Sequence, residues 1–355
     1  MSAPRIEIDI GKIEHNATHL VDVLAKKGIG VTGITKATLG SPRIGAALVR
    51  AGVRALGDSR IENIEAMRNA GIGAPMRLIR SPALSTVERA VAHADLSFVT
   101  ELDVIRALST AAGAAGVVHG VVVMVELGDL REGVMPDDVD HVVEAVLGLR
   151  NLSLDGIGTN LACRSGIAPD TTNMTALSEL ASSIETTFGI PLRVVSGGNS
   201  ANLNWSLSAA PPGRINDLRL GESILLGCEP LHRTPIIGLH TDAITFVAEV
   251  IESKPKPSMP WGDLAQTAFG TRADPVGHGT TFQTILAAGQ QDTDPAGLRP
   301  STGIKVLGAS SDHLVVDSGQ RVPIGSEMRF LPNYSALLRS MTSPFVAKVL
   351  TPTTR

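Results

Sequence analysis

The chain has 355 residues, of which 43% are hydrophobic and only 3% aromatic, so it can form a barrel of about 250 residues and a smaller domain with an aliphatic core. The net charge of −4 gives no basic surface for nucleic acid, and no apolar run of about 18 residues predicts a membrane span. The N-terminus lacks the pattern of a secretory signal. Two cysteines without a C-x-x-C pair indicate reduced thiols in a cytoplasmic protein and no structural metal site.

Helical apolar spacing alternates with short apolar runs through the first 230 residues. The predicted helices are 12–28, 42–52, 60–71, 85–93, 101–115, 136–149 and 171–188, with a short segment around 202–209. The predicted strands are a run ending at 35–36, then 54–57, 76–79, 96–99, 117–126, 154–159, 192–195 and 218–220. Eight strands that alternate with helices imply parallel βαβ units. We therefore expect an α/β protein with a (β/α)8 TIM-type barrel over residues 10–230.

After about residue 235 the pattern changes to alternating runs at 237–251, 304–307, 313–317 and 346–350. Turns rich in Pro and Gly separate these runs, and the segment 253–262 is predicted to be such a break. This pattern is typical of an antiparallel sheet. We expect a smaller, mainly antiparallel β domain over residues 231–355, to which residues 1–9 add a strand.

Lys36 stands at the end of the first predicted barrel strand, where the active sites of such barrels lie. Between residues 28 and 253 the chain contains many arginines but no other lysine. An arginine supplies a cation but cannot form an imine, whereas a desolvated lysine amine can. Lys36 is therefore the candidate nucleophile, and the alternative is an ordinary surface lysine.

Two glycine-containing loops follow the last two barrel strands. These are Ser196-Gly-Gly-Asn-Ser200 and Arg219-Leu-Gly-Glu-Ser223. Loops at these positions commonly bind phosphate, because glycine lets backbone N–H groups approach and a hydroxyl donates a further hydrogen bond. The order of the loops predicts a phosphate site, although a Gly-Gly-Asn-Ser segment alone is as often a plain turn.

Several short motifs resemble those of alanine racemases and their fold-type III relatives. They are Ile6-Glu-Ile-Asp-Ile10 with His15-Asn16, Thr35-Lys36-Ala37, Asn199-Ser200-Ala201 and Arg219-x-Gly221. The segments 126–133, 156–163 and 332–339 resemble the ornithine racemase-like branch of that family. The resemblance covers nearly the whole chain. It implies a pyridoxal 5'-phosphate enzyme that interconverts the L and D forms of a free amino acid such as ornithine, lysine or alanine.

The resemblance also implies roles for individual residues. Lys36 would hold the cofactor as a Schiff base, and Arg219 would face the pyridine nitrogen and keep it unprotonated, which makes the ring a weaker electron sink. Arg131 would receive the substrate carboxylate, for which a planar guanidinium is suited; its alternative role is a surface ion pair. Asn160 stands where alanine racemases have a histidine near the ring. The phosphate would be held by Ser200, the backbone of Gly221 and Glu222, and Tyr334.

The second acid/base departs from the family pattern. Alanine racemases take a tyrosine followed by glycine from the partner subunit, and the nearest match is Phe269-Gly270, which cannot move a proton. Cys163, just beyond the sixth strand, and the glycine-flanked His278 are the two candidates. A lone cysteine after a strand is also often a small buried hydrophobe. The family assembly, a dimer in which the β domain of one chain covers the barrel mouth of the other, implies that His278 would act from the partner.

Four alternatives stay open. A non-catalytic pyridoxal-phosphate homeostasis protein shares the barrel but usually lacks a second domain, and a fold-type III decarboxylase needs a C-terminal cysteine that is absent after Cys228. A D-amino-acid aldolase or dehydratase of this fold would need metal ligands where the chain has Tyr334 and Ala336. The fourth alternative is a barrel enzyme without pyridoxal phosphate that binds a phosphorylated substrate.

The sequence does not define the side chain of the substrate, but a cationic side chain would require acidic partners. The acidic residues near the predicted mouth are Asp58, Glu62, Asp129 and Glu132.

Overall fold

The computed structural model describes residues 3–270 and 279–351. The chain divides into two units: one is Ile10–Thr241, and the other consists of the described residues of Met1–Asp9 and Asp242–Arg355. The first unit continues past the expected boundary at residue 230. Asn16 holds this extension, because its side-chain oxygen accepts a hydrogen bond of 2.7 Å from the backbone of His240. In the described part of the chain, no helix is both long and apolar enough to cross a bilayer.

The first unit is a closed barrel of eight parallel strands, which confirms the predicted architecture. The barrel strands in order are β2 (Gly30–Ile34), β3 (Ala55–Asp58), β4 (Met76–Leu78), β5 (Leu96–Val99), β6 (His119–Met124), β7 (Leu152–Gly158), β8 (Val194–Ser196) and β9 (Asp217–Leu220). Strand β1 (Arg5–Asp9) belongs to the other unit. All residues of β2, β3, β5, β6, β8 and β9 are buried, as expected for strands covered by helices on one face and by the barrel interior on the other.

Nine α-helices lie in the barrel unit. They are α1 (Ile10–Ala25), α2 (Pro42–Arg50), α3 (Ile61–Asn69), α4 (Val87–His93), α5 (Leu102–Ala115), α6 (Val139–Leu147), α7 (Thr171–Phe188), α8 (Leu203–Leu207) and α9 (Glu222–Leu226). The ends of α7 follow from local chemistry. Asp170 caps its N-terminus in a capping box with Asn173, and Gly189 ends it in the left-handed conformation.

The boundaries of some elements differ from the prediction by a few residues. The expected strand 117–126 is shorter, because Val117 and Val118 are exposed and precede β6. At its other end, Val125 and Glu126 hydrogen-bond outside the strand, with Val125 donating to Gly158 and Glu126 donating to Val134. The strand therefore ends where the chain turns into the loop that carries Arg131.

The second unit is an antiparallel sheet, as predicted, and among its described strands only β1 and the last strand pair in parallel. Its further elements are β10 (Ile244–Pro257), β11 (Thr280–Leu286), β12 (Leu298–Pro300), β13 (Lys305–Ala309), β14 (Leu314–Asp317), β15 (Glu327–Pro332), α10 (Tyr334–Thr342) and β16 (Ala347–Thr351). Ile6, Ile8, Phe246 and Phe330 are among its fully buried side chains. The sequence pattern did not predict β11, β12, β15 or α10.

The prediction of a break over 253–262 is wrong in its first half, since β10 continues to Pro257. Among the described strands, only β11 pairs with β10 beyond Val250, whereas β1 and β15 pair with its beginning. Pro255 and Pro257 therefore lie in an edge segment, where a missing N–H removes no ladder bond on the open side. The prolines fit the strand because it has one neighbour there.

Candidate active site

The carboxyl ends of the eight barrel strands lie at one rim, and Lys36 stands there at the end of β2. It begins a single 3₁₀ turn, Lys36–Thr38, and is half-buried. The preceding Thr35 is fully buried and donates a hydrogen bond of 2.7 Å from Oγ1 to Oδ2 of Asp58 on β3. This contact fixes the turn from which the Lys36 side chain extends.

The carboxylate of Asp58 is engaged in holding the turn that carries Lys36. Its Oδ1 accepts hydrogen bonds from the backbone of Arg60 at 2.9 Å and from the side chain of Asn63 at 3.0 Å. Burial raises the pKa of Asp58, while the hydrogen bonds from Thr35, Arg60 and Asn63 oppose that change. Asp58 therefore supports the Lys36 turn, and both of its carboxylate oxygens accept hydrogen bonds from neighbouring residues.

Arg219 lies near the end of β9 with its guanidinium buried. Its Nη1 donates to Ser196 Oγ at 2.5 Å, and its Nη2 donates to the backbone oxygen of Thr159 at 2.7 Å. The ring of Phe98 lies 5.0 Å from the guanidinium carbon, at cation–π distance. Burial lowers the pKa of Arg219 to about 10, and the negative charge of Asp217 opposes this change. The guanidinium is a fixed cation at the bottom of the mouth.

Asn160 directly follows Thr159, and only one of its two polar side-chain atoms has a hydrogen-bond partner among the described residues. Its Oδ1 accepts from Asn199 Nδ2 at 3.1 Å and from Arg219 Nη2 at 3.4 Å. Its Nδ2 is buried and has no hydrogen-bond partner among the residues that the structure describes. Because a buried donor without an acceptor is costly, this amide fits a bound group that presents an acceptor beside Arg219.

The loop after β8 is built for close backbone approach. Gly198 has φ of +139°, and a Cβ atom at this position would lie 2.1 Å from Asn202 Oδ1, so any other residue there would be strained. Asn199 caps the turn that begins at Ser200 by accepting from the backbone of Ala201 at 2.8 Å. The motif thus has a structural explanation as well as the proposed phosphate-binding one.

Ser200 meets the loop after β9. Its Oγ lies 3.0 Å from Ser223 Oγ and accepts from the backbone of Ser223 at 3.2 Å. Gly221 is also close to its neighbours but less tightly, because a Cβ atom there would lie 3.1 Å from Ile34 Cβ. The side chain of Glu222 is paired with Arg233, which leaves its backbone for a ligand. Ser223 is a hydroxyl that the sequence reasoning did not single out, although it lies in the Arg-Leu-Gly-Glu-Ser segment.

Two buried acids organise the loops that carry Arg131 and Cys163. Glu126 accepts from the backbone N–H groups of Gly128, Leu130 and Arg131 at 2.6, 2.9 and 3.1 Å. Arg131 itself is partly exposed and pairs with Glu132 at 3.3 Å. The Glu126 carboxylate therefore shapes the loop, and the Arg131 guanidinium is presented by it.

Asp129 ties this loop to the one after β7. It is fully buried, and its carboxylate accepts from the backbone N–H groups of Cys163, Arg164 and Ser165 at 3.2, 3.0 and 2.9 Å. The sequence suggested that Asp129 could pair with a cationic substrate. Its acceptor positions are instead filled by these amides, so its observed task is to hold the Cys163 loop. A lone acid inside a loop motif gave no signal of this role.

Cys163 is exposed, and its Sγ accepts from Asn199 Nδ2 at 3.5 Å. Both Cys163 and Arg131 are close enough to Arg219 to affect it, with opposite effects on its pKa. The structure therefore brings together Arg131, Asn160, Cys163 and Arg219 beside the glycine loop. Glu62, another acid considered for substrate binding, pairs with Arg89 at 2.9 Å.

Three predicted residues lie outside the barrel unit. Tyr334 is the first residue of α10, whose N-cap is Asn333, so part of the Pro-Asn-Tyr motif is a helix start. Phe269 is partly exposed in the segment between β10 and β11. His278 lies outside the described residues. Over 3–270 and 279–351, no group of three His, Cys, Asp or Glu side chains is arranged to hold a metal ion.

Known proteins resemble this chain over most of its length. The alanine racemase N-terminal domain matches residues 8–230. The chain is 38% identical to the lysine racemase of Thermotoga maritima over 99% of both chains. It is 37% identical to the ornithine racemase of Acetoanaerobium sticklandii over 98% of this chain and 99% of that one.

Solved structures share the fold at low identity. The alanine racemase of Streptomyces coelicolor superposes with a TM-score of 0.77 at 21% identity, covering 98% of this chain and 97% of that chain. The D-threonine aldolase of Filomicrobium marinum also gives 0.77, at 17% identity, covering 99% and 91%. Since the family match spans more than half of the chain and two relatives align with nearly all of it, this chain is an amino-acid racemase that belongs to the alanine racemase family.

Proposed function

We propose that the chain binds pyridoxal 5'-phosphate through Lys36 and interconverts the L and D forms of a basic amino acid, ornithine or lysine. The observation that carries the choice of substrate is the full-length identity of 37–38% to a lysine and an ornithine racemase. The alanine racemase of Desulfovibrio desulfuricans is 26% identical over 65% of the chain. Alanine is therefore the weaker candidate.

The residues at the mouth fit the proposed cofactor. The unpaired amide of Asn160 calls for an acceptor beside Arg219, and an oxygen on the pyridine ring would supply one. Arg219 would face the ring nitrogen, and Ser200 with the backbone of Gly221 and Glu222 would hold the phosphate. Tyr334 as a further phosphate ligand rests on the family resemblance alone.

When bound, pyridoxal phosphate supplies an electron sink that makes the α-proton of an amino acid acidic. Lys36 would remove or return that proton on one face of the substrate, from the turn that Thr35 and Asp58 hold. Arg131 would bind the substrate carboxylate through a bidentate contact. Arg219, as a cation that keeps its proton, would leave the ring nitrogen unprotonated and limit the strength of the sink.

The opposite face of the substrate needs its own acid/base, because a proton must arrive there in the reverse configuration. Cys163 is the candidate in the barrel unit, since its thiol lies beside Asn199 and within electrostatic range of Arg219. His278 is the candidate from the partner chain. It lies in a segment with glycine on both sides, Gly277-His-Gly279.

The family resemblance further supports a homodimer in which the β unit of one chain covers the barrel mouth of the other. Such a cover would exclude water from the deprotonated substrate.

The cofactor proposal is tested by spectroscopy. The protein with added pyridoxal phosphate should be yellow, and borohydride should bleach the colour and leave the label on Lys36. The variant Lys36→Arg keeps the positive charge but cannot form the imine, so it should stay colourless and lose racemisation of ornithine and lysine. A wild-type protein that stays colourless with excess cofactor would disprove the proposal.

The substrate is tested by comparing kcat/KM for ornithine, lysine and alanine. We expect ornithine or lysine to exceed alanine by at least about tenfold, the ratio that a free-energy difference of roughly 1.4 kcal/mol produces. Equal rates with all three would show that the side-chain charge is not recognised.

A further inference from the structure

Below Arg219, the barrel interior contains a chain of polar side chains from four strands. Asp217 and Arg219 are two residues apart on β9, so their side chains share one face of the strand. Asp217 Oδ1 accepts from Thr32 Oγ1 on β2 at 2.7 Å and from Arg77 Nη1 on β4 at 2.8 Å. Its Oδ2 accepts from Ser196 Oγ on β8 at 2.6 Å. Because β4 and β9 are not neighbours, this network lies inside the barrel.

In this network of hydrogen bonds, the available donors fix the direction of every bond. An arginine can only donate and a carboxylate can only accept. Ser196 therefore gives its single proton to Asp217 and accepts from Arg219 Nη1 at 2.5 Å. The order is Arg219 to Ser196 to Asp217, with Arg77 as the counter-charge on the far oxygen of the carboxylate.

Because Arg219 is buried, its positive charge needs support from the network. Burial and the nearby charges of Arg131 and Arg77 disfavour a proton on this guanidinium, while Asp217 and Cys163 favour it. Asp217 is buried and stays in the barrel interior, whereas Cys163 lies on an exposed loop. The hydroxyl of Ser196 is the direct link between this carboxylate and Arg219.

We propose that Ser196 is a positioning residue that, through Asp217, keeps the proton on Arg219 and off the ring nitrogen of bound pyridoxal phosphate. This rests on the proposed function. Thr159 and Asn160 orient the other edge of the guanidinium but carry no formal charge. Without the Ser196 contact, the proton of Arg219 would be shared more with the ring nitrogen, and the ring would become a stronger electron sink.

The chain offers a matched pair of variants. Ser196→Ala and Thr32→Val each remove one hydroxyl donor from the same carboxylate, and both positions are fully buried. Only Ser196→Ala interrupts the path to Arg219. A purely structural network would respond alike to both variants, whereas the proposed relay responds to the first alone.

The measurement is the ¹⁵N chemical shift of the pyridine nitrogen in bound, ring-labelled pyridoxal phosphate, recorded without substrate. We expect wild type and Thr32→Val to show an unprotonated nitrogen. Ser196→Ala should shift toward the protonated value, with the pH midpoint of the cofactor absorbance moved by about one pH unit, equivalent to a tenfold change in the equilibrium. Ser196→Thr, which restores the hydroxyl, should restore the wild-type shift.

Equal shifts in Ser196→Ala and Thr32→Val would overturn the proposal. Should Ser196→Ala not fold, Asp217→Asn provides the second test, because its neutral amide removes the negative charge while keeping the shape. An unchanged shift in that variant would also overturn it. Failure of the wild-type protein to bind the cofactor would instead refute the proposed function, so the two failures are distinguishable.

Discussion

At the residue scale, Asp129 is one of the two buried acids that hold the loops carrying Arg131 and Cys163. Three backbone N–H groups donate to its buried carboxylate, and charge-assisted hydrogen bonds of this kind are stronger than neutral ones. Asp129→Asn should destabilise the protein by roughly 1–3 kcal/mol and loosen the Cys163 loop. Trypsin cleavage after Arg164 should therefore be faster, and KM for the substrate should rise. Glu132→Gln, a partly exposed acid of the same loop, is the control; cleavage at the same rate in both variants would contradict this role.

Cys163 has a separate prediction at this scale, because the role proposed for it is chemical. Cys163→Ser should slow α-proton exchange from one enantiomer by about 10²-fold, the lower range for loss of a general acid/base, and leave exchange from the other enantiomer nearly unchanged. Cys228→Ser is the matched control, since Cys228 is the other free thiol. If both variants exchange both enantiomers at the wild-type rate, the same measurement on His278→Ala tests the remaining candidate.

A candidate residue could be singled out from the sequence where composition made it unusual. Lys36 stood out as the only lysine between residues 28 and 253, and the glycines of the two proposed phosphate-binding loops stood out by their spacing. Ser196, Asp217 and Arg77 gave no comparable signal, because their contacts join strands that are distant in sequence. The three amides on Asp129 likewise come from another loop. Long-range polar pairing is set by the closure of the barrel, which a one-dimensional pattern does not encode.

At the element scale, strand β6 contains a buried histidine that makes the barrel sensitive to pH. His119 begins β6 and its Nε2 lies 2.9 Å from Ser97 Oγ. Burial lowers the pKa of His119 from 6.5 to about 4, so between these pH values the unfolded chain binds the proton and the folded chain does not. The contribution of neutral His119 to the free energy of unfolding is therefore fully present above pH 6.5 and is lost as the pH falls toward 4.

We therefore expect urea unfolding to show that wild type loses roughly 2 kcal/mol more stability between pH 7.5 and 5 than His119→Gln does, since each pKa unit corresponds to about 1.4 kcal/mol. The glutamine does not titrate and can still hydrogen-bond Ser97. Because other carboxylates titrate in both proteins, only the difference between the two curves reports on His119. Identical losses would show that this histidine is not the source.

Elements of the barrel were more predictable than those of the β unit. Strand β5 and helix α7 match their predicted bounds, because a strand covered on both faces gives a continuous apolar run and α7 has clear end signals. In the β unit, β10 continues through Pro255 and Pro257. Its one-sided pairing, which makes those prolines acceptable, depends on strands that are far along the chain.

At the scale of the whole molecule, the proposed dimer should cover an apolar patch at the barrel mouth. Leu130 and Ile167 are exposed by 63% and 39%, and they lie on the two loops that Asp129 joins. Val118 is exposed by 64% directly before β6, so it lies at the opposite end of the same barrel. Leu130 and Val118 are equally exposed at opposite ends of the barrel, so substitutions of these two residues test which end a partner chain covers.

Leu130→Asp places a charge in the proposed interface, and the left-handed backbone at this position, with φ of 51°, suits aspartate better than leucine. The variant should weaken dimerisation by at least about tenfold in sedimentation velocity, equivalent to roughly 1.4 kcal/mol, and lose racemase activity on dilution. Val118→Asp should do neither, because that rim lies away from the strand ends that carry Lys36 and Arg219. A wild-type protein that is monomeric and fully active, or equal weakening by both substitutions, would contradict a dimer in which the partner closes the catalytic end. Loss of activity in Leu130→Asp with an unchanged sedimentation coefficient would instead assign Leu130 to the substrate side of the mouth.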